Sequence, residues 1–456
     1  MNLDKIYQRL PYWLQNISIS LYGYMIYNRR YSGYYKQKVK DFINNEKLSV
    51  QEVNDLQFEL LRKMLINAYQ NVPYYRNLFK ENNFNPEQPF TPADFAKVPS
   101  LNKNIIKKDV NLFISEKANR KKLIKDMTGG TSGNPLELWF TDDEIKYNFA
   151  IYDVRLKRVF GVKTGDKIAS FLSKKLCPTD QKKPPFWRYN KAYNQILFST
   201  YHLNDSTAEY YVDHLRKCAP DLIVGYPMPL YLMAKYIVDR KLEPIPIKAA
   251  FTSSETLYDY QRETIEKAFS TRICNGYSQG EGVAMISECE YGKLHVQPEY
   301  GYIEFVDVPG NDFKEVVGTT LFNYNMPLIR YRTGDFVKLS EEKECKCGRP
   351  FFPIVETIIG RDDSTFKRRD GRQVSASHFA QPFRTYTDII EAQVIQEDYD
   401  NITAKLVIKP DFKDFDGFIF EMHRILGNDI NVKLEVVDAI EKTVSGKYKF
   451  IISKVK

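Results

Sequence analysis

The sequence has little of what marks a specialised chain. Only 22 glycines and 22 prolines are spread over 456 residues, which excludes collagen-like and low-complexity architectures. Six cysteines are too few for a dense disulfide framework and read first as metal ligands or buried thiols. No run reaches the ~18–20 uncharged apolar residues of a membrane span. The nearest, Leu222 to Ala234, contains two prolines. A basic n-region followed by an apolar h-region and cleavage site is also missing, so no signal peptide is expected and the protein is assigned to the cytoplasm. None of the five histidines falls in a nucleophile–base motif, which leaves no Ser/His/Asp or Cys/His candidate. Charge of one sign is scarce as well. Lys+Arg 66 against Asp+Glu 58 gives a net +8, too small to argue for nucleic acid but compatible with anionic small ligands.

What is there is an ordinary globular composition, 43% hydrophobic and 27% charged, rich in Tyr and Phe. The length suggests roughly two to four structural units. The first fifty residues are aromatic and basic (Tyr12, Trp13, Leu21, Tyr22, Met25, then Arg29 and Arg30), which fits either an element packed on the main domain or a membrane-surface helix. Helical spacing over 51–70 stops before Pro73. From about residue 122, short apolar runs at 168–172, 222–224, 249–252 and 272–275 alternate with helical stretches at 205–218, 229–240 and 258–269. That alternation argues an α/β sheet with crossovers. The pattern turns to strands at 301–308 and 316–322. A smaller α+β unit of ββαβ order follows (strands 391–396 and 402–408, helix 415–427, strand 431–437), with the linker placed at 360–371. No internal repeat is visible.

Four motifs carry chemistry. Thr128-Gly129-Gly130-Thr131-Ser132-Gly133 puts three glycines and three hydroxyls in six positions, a composition suited to cradling phosphates. No Gly-Lys-Ser/Thr follows, so it is not a Walker A loop. Tyr331-Arg-Thr-Gly-Asp335 sets a carboxylate after a tight turn, able to accept both hydroxyls of a ribose. Gly360-Arg361-Asp-Asp363 sits at the proposed linker. Thr443-Val-Ser-Gly-Lys447 holds a lysine that can meet a phosphate as a point charge. A fifth segment, Asn275-Gly276-Tyr277-Ser278-Gln-Gly-Glu281, lies between the first two.

This order resembles that of acyl-adenylate-forming enzymes. With Asn71-Val-Pro-Tyr-Tyr-Arg-Asn-Leu-Phe79 and Val98-Pro-Ser-Leu-Asn-Lys103, the chain is similar to the phenylacetate–CoA ligase family, in the branch associated with capsular polysaccharide synthesis. The resemblance runs from about residue 50 to the C-terminus. It implies a large ATP- and acyl-binding domain over about 1–360 and a small mobile domain over 361–456. It further implies that Thr128 to Gly133 hold ATP phosphates, that Ser254 and Glu255 touch the adenine with Asn275 and Gly276 nearby, and that Tyr277 stacks on the ring. Glu281 is expected to hold Mg²⁺, Asp335 to bind the ribose with help from Arg361, Asp363 to act as hinge, and Lys447 to bridge carboxylate and α-phosphate. The chain departs from the superfamily pattern where Ser278 replaces a glycine and Gly280 a threonine, and at Leu136, where many members carry lysine.

The implied reaction activates a small-molecule carboxylic acid and passes it to CoA or, in the alternative, to an amine in surface polysaccharide synthesis. A non-catalytic nucleotide-binding or membrane-associated assembly protein is the reading from another class. The acyl pocket is expected around Gly225 to Leu230. Separately, Cys289, His295, Cys345 and Cys347 make a complete tetrahedral zinc set within a β-rich region over about 285–350. Their spacing leaves unrelated buried thiols as an equal alternative. The same pattern in zinc-containing members of the resembled family implies a structural zinc. Neither the acid nor the oligomeric state, a homodimer included, can be read from the residues.

Overall fold

In the computed structural model the described residues are 3–128, 135–171, 176–178, 180–361, 365–369, 373–375, 379, 382–442 and 448–455. One sheet of twelve strands organises the larger part. Five short strands, Gln195–Phe198, Ile168–Phe171, Leu222–Gly225, Ala249–Ser253 and Ile273–Ser278, are mutually parallel. Most of their residues are buried and none is exposed, as strands covered on both faces require. The crossover helices Pro227–Asp239 and Asp259–Phe269, with Ala208–Cys218, complete the α/β half. Beyond Ile273–Ser278 the sheet turns antiparallel: Met285–Glu288, Leu294–Val296, Ile354–Arg361, Tyr331–Leu339, Lys314–Thr320 and Gly301–Asp307 follow to the other edge.

The α/β alternation read from the sequence is therefore present, with shifts of a few residues. The crossover helix starts at Pro227 rather than 229, because Pro227 fills the first helical position, where its missing N–H costs nothing. The helix Val50–Asn71 is capped by a reciprocal Ser49/Glu52 pair, and Pro73 opens the next helix, Pro73–Glu81. The helix Tyr12–Arg30 packs on the edge strand Trp187–Asn190. Arg188 Nε donates to Gln15 Oε1 at 2.5 Å, and Tyr189 N to Asn16 Oδ1 at 2.9 Å. A Cβ at Gly23 would meet Asn190 Oδ1 at 2.3 Å, so a larger residue there would require the Asn190 side chain to move. The helix thus covers an edge that would otherwise be open to pairing.

A second sheet of four strands has the order Asn431–Val436, Asn401–Ile408, Ile389–Gln396, Ile451–Ser453. The helix Phe415–Leu426 buries Phe418, Met422 and Leu426 against it. The fourth strand was not expected from the sequence: three residues long, it exists through parallel pairing with Val394 to Gln396, a distant contact that leaves no local pattern. Strands are present in and beside the segment expected as a linker. Ile354–Arg361 continues the large sheet through Gly360, and Thr365–Lys367 pairs with Gln373–Ser375.

Contacts join the two parts. Lys235 Nζ donates to Thr387 O at 2.5 Å, and Asp239 pairs with both Lys235 at 3.1 Å and Lys409 at 2.8 Å. Lys442 Nζ donates to Thr200 O at 2.9 Å, and Tyr258 and Tyr260 pack with Phe383 and Phe450. No helix among the described residues is long and apolar enough to cross a membrane.

Candidate active site

The site lies where the parallel strands end and the antiparallel ones begin. In an open parallel sheet, the carboxyl ends of the strands leave a crevice for ligands. Ala249–Ser253 and Ile273–Ser278 are paired in register, Thr252 with Asn275 and Ser253 with Gly276, so Ser254, Glu255 and Tyr277 emerge side by side. Ser254 has φ 70°, a left-handed conformation that is costly for a non-glycine residue and recurs at functional sites. A cavity of about 1050 Å³ opens here. Thr128, Ser254, Glu255, Asn275, Gly276, Tyr277, Ser278, Glu281 and Asp335 all line it.

Each side chain has a physical reason for its position. Thr128 closes the hairpin formed by Ile124–Met127 and Glu137–Phe140; its N–H donates to Leu136 O at 2.9 Å, and its Oγ1 accepts from Leu136 N at 2.8 Å. Thr128 is the one residue of the Gly/Ser/Thr motif that is described; Gly129, Gly130, Thr131, Ser132 and Gly133 lie outside the described residues. A Cβ on Gly280 would sit 3.5 Å from Thr128 Cγ2, so the departure from threonine at 280 leaves room against the loop's first residue.

Tyr277 donates its hydroxyl to Asp335 Oδ2 at 2.8 Å. Burial, then the adjacent Asp335 carboxylate, push the Tyr277 hydroxyl far above the usual tyrosine range. It remains a neutral donor. Asp335 is itself buried, stands after Gly334 at φ 69°, and pairs in register with Arg361 across the neighbouring strand. Glu281 is buried with Oε1 accepting from Tyr331 Oη at 3.2 Å. Asn275 donates its N–H to Glu288 Oε2 at 2.9 Å, and Glu288 also pairs with Arg262 at 2.5 Å. Ser278 Oγ makes a short contact with Tyr152 Oη.

The remaining wall comes from the smaller part. Tyr448, Lys449, Phe450 and Ile451 line the cavity, and Tyr448 N donates to Glu255 Oε1 at 2.8 Å. Tyr448 is fixed by accepting from Ala392 N at 2.9 Å through its hydroxyl. Lys447 and Asp363 lie outside the described residues, but Lys447 is the immediate neighbour of Tyr448 in the chain.

Of the segment expected to shape the acyl pocket, Met228 lines the cavity together with Val224, just before it, while Leu230 is core. In the basic runs near 120–125 and 367–372, Lys125 pairs with Glu137, Arg368 with Asp429 and Arg369 with Asp400. Tyr152, Glu288 and Tyr448 were not singled out from the sequence. Tyr448 adjoins a quoted motif, but nothing local marks Tyr152 or Glu288, which reach the site through the fold.

A second cluster stands in the antiparallel half. The donor atoms of Cys289, His295, Cys345 and Cys347 all lie within 4.8 Å of one another. Cys289 Sγ is 3.7 Å from Cys345 Sγ, and Cys347 Sγ is 3.5 Å from His295 Nε2. His295 Nδ1 stands 2.9 Å from Phe351 O. A carbonyl can only accept, so Nδ1 carries a proton, which in the neutral imidazole leaves the Nε2 lone pair facing Cys347.

The chain is 32% identical to Protein CapK of Staphylococcus aureus, over the whole length of both. It is 25% identical to phenylacetate-coenzyme A ligase of Pseudomonas putida, over 64% of this chain and 68% of that one. Residues 366–454 match the family model of the CapK C-terminal domain. The structure superposes on that of 2-hydroxyisobutyryl-CoA ligase in a postadenylation state, with TM-score 0.71, 18% identity, and coverage of 90% of this chain and 91% of that one. That likeness is one of fold. By sequence over its full length, by its C-terminal domain and by its architecture, the chain belongs to the CapK family, a branch of the acyl-adenylate-forming ligases related to phenylacetate–coenzyme A ligase.

Proposed function

We propose that this protein is an ATP-dependent, AMP-forming ligase that joins a carboxylic acid to the α-phosphate of ATP and then transfers the acyl group to coenzyme A. One observation carries the reading. Five residues from four distant segments (Thr128, Ser254, Tyr277, Glu281 and Asp335) line one cavity, and its last wall is the stretch Tyr448 to Ile451 that follows Lys447.

The chemistry suits that wall. A carboxylate is ionised near neutral pH, so its attack on phosphorus needs no general base. What it needs is positioning and neutralisation of charge on the phosphate oxygens. Thr128 to Gly133 are assigned to the phosphates, Ser254 and Glu255 with Asn275, Gly276 and Ser278 to the adenine side, and Asp335 with Arg361 to the ribose. Tyr277 orients Asp335 through its hydrogen bond and offers its ring to the base. Glu281, buried and facing the cavity, fits a ligand to Mg²⁺, which supplies positive charge to the phosphates when bound. Lys447 is assigned to the carboxylate and α-phosphate, and Asp363 to the hinge on which the small domain, 361–456, turns to admit the acceptor.

The Cys/His cluster is assigned a structural Zn²⁺. Zn–S bonds of about 2.3 Å and Zn–N bonds of about 2.0–2.1 Å in a tetrahedron imply S···S edges of about 3.8 Å and S···N edges of about 3.6 Å. The 3.7 Å and 3.5 Å separations match those edges. The four protein donors fill the tetrahedron, which suits a structural role.

The test is carboxylate-dependent ATP–pyrophosphate exchange over a panel of aryl, fatty, uronic and amino acids. Exchange with one class supports adenylation and names the acid; loss of ATP binding itself overturns it. Adding CoA or an amine to the charged enzyme then separates thioester from amide formation. An amide product would correct the acceptor and leave adenylation standing.

A further inference from the structure

Sixteen large hydrophobic side chains are exposed among the described residues, and seven of them lie between Tyr12 and Met25. Such clustering, unlike scattered exposure, marks an interaction surface. In the helix Tyr12–Arg30, Trp13, Ile17, Leu21 and Met25 recur every four residues with Tyr24 among them, forming a ridge on the side away from the buried Gln15 and Gly23. Trp13, Leu21 and Met25 are 60%, 66% and 60% exposed. The helix is held from below by the strand Trp187–Asn190, so the ridge belongs to a rigid element.

We infer that this ridge docks on an anionic lipid surface. Charge selects that occupant. The helix has no acidic residue, and residues 1–40 carry seven Lys or Arg against one Asp. Arg29 pairs with Asp142 and Lys38 with Asp41, which leaves the segment still net positive. Arg9, Lys36 and Lys40 are exposed there. A second copy of the chain seated on the same face would bring two cationic segments together, whereas anionic headgroups neutralise them. Trp and Tyr beside Leu, Ile and Met make up the mixture that settles at a membrane–water boundary. The docked helix also touches the cavity wall: the Arg30 guanidinium lies 3.4 Å over the ring of Phe149, which lines the cavity. The inference does not depend on the ligase reading.

The test is sedimentation of the full chain with phosphatidylglycerol/phosphatidylcholine vesicles and with phosphatidylcholine alone, beside a Trp13→Ser/Leu21→Ser/Met25→Ser variant. The expected result is binding to the anionic vesicles that weakens with salt and falls about tenfold or more in the variant, with an unchanged melting temperature. Should the variant fold poorly, quenching of the native protein by brominated lipid, with the signal assigned by Trp13→Phe, reads the same contact. Failure to bind anionic vesicles, or binding indifferent to the three substitutions, overturns the inference. So does a native dimer that the variant converts to monomer, which would assign the ridge to a second copy.

Discussion

The cavity and the Cys/His cluster occupy the same sheet but are assembled in opposite ways. The cluster draws its four donors from one antiparallel region, and their donor atoms lie within 4.8 Å of one another. The cavity draws its lining from two sheets, and its closing wall depends on contacts such as Tyr448 N to Glu255. A site built within one unit is fixed by folding, whereas a site built between two can be opened. Rigidity suits a structural ion, and opening suits a reaction that must admit an acceptor after its first step.

The comparison can be broken most sharply at the cavity. Lys447→Ala is expected to lower pyrophosphate exchange by about 10²–10³-fold while transfer from preformed acyl-adenylate continues, since the small domain that carries the lysine is proposed to turn it away before the acceptor attacks and AMP leaves. Equal loss of both half-reactions would deny the lysine its separate role. Asp335→Ala removes the acceptor of the Tyr277 hydrogen bond, and ATP binding is expected to weaken by roughly tenfold or more, read by calorimetry.

The cluster should respond differently. Chelation or Cys345→Ser is expected to release one equivalent of zinc and lower the melting temperature by several degrees, with exchange kept wherever the fold persists. Exchange lost on chelation at a temperature where the protein remains folded would show that the two regions are not independent.

A smaller effect is expected at the contact between the two parts. Asp239→Ala removes the carboxylate shared by Lys235 and Lys409. Because Lys235 is largely buried, the variant favours separation, and the ratio of transfer to adenylation rates is expected to shift a few-fold. An unchanged ratio would mean that this contact does not set the balance.

The smallest effect concerns acid. His214 stacks on Trp187 with centroids 3.9 Å apart, and burial, with a lesser contribution from Lys217, lowers its pKa to about 4. The unfolded chain takes up that proton near its ordinary value, about 6.5. The stabilisation is thus complete above about pH 6.5 and lost as the pH falls toward about 4. His214→Phe should flatten that part of the stability–pH curve, measured by denaturant midpoints.

The residues most legible in the sequence were those whose chemistry is local. Thr128, Tyr277, Glu281 and Asp335 sit in short motifs where glycine, hydroxyl and carboxylate must be neighbours, and the structure brings all four to one cavity. Cys289, His295, Cys345 and Cys347 were legible as donors, but only the fold brings together residues over fifty positions apart. Tyr152 and Glu288 escaped because their roles arise from packing across the sheet. The strand Ile451–Ser453 escaped for the same reason, since three residues carry no periodicity. The aromatic N-terminal segment left two readings open, and the structure realises the packed one while leaving an apolar ridge outward.

The reversal of strand direction next to Ile273–Ser278 gives the cavity two unlike jaws. On the antiparallel side, Glu281 and Asp335 are locked by hydrogen bonds, so under the proposed assignment a substitution there would disturb the grip on the nucleotide. On the parallel side, Val224 and Met228 meet the cavity mainly as shape. Divergence within the family can therefore re-tool one jaw for a new acid without touching the other.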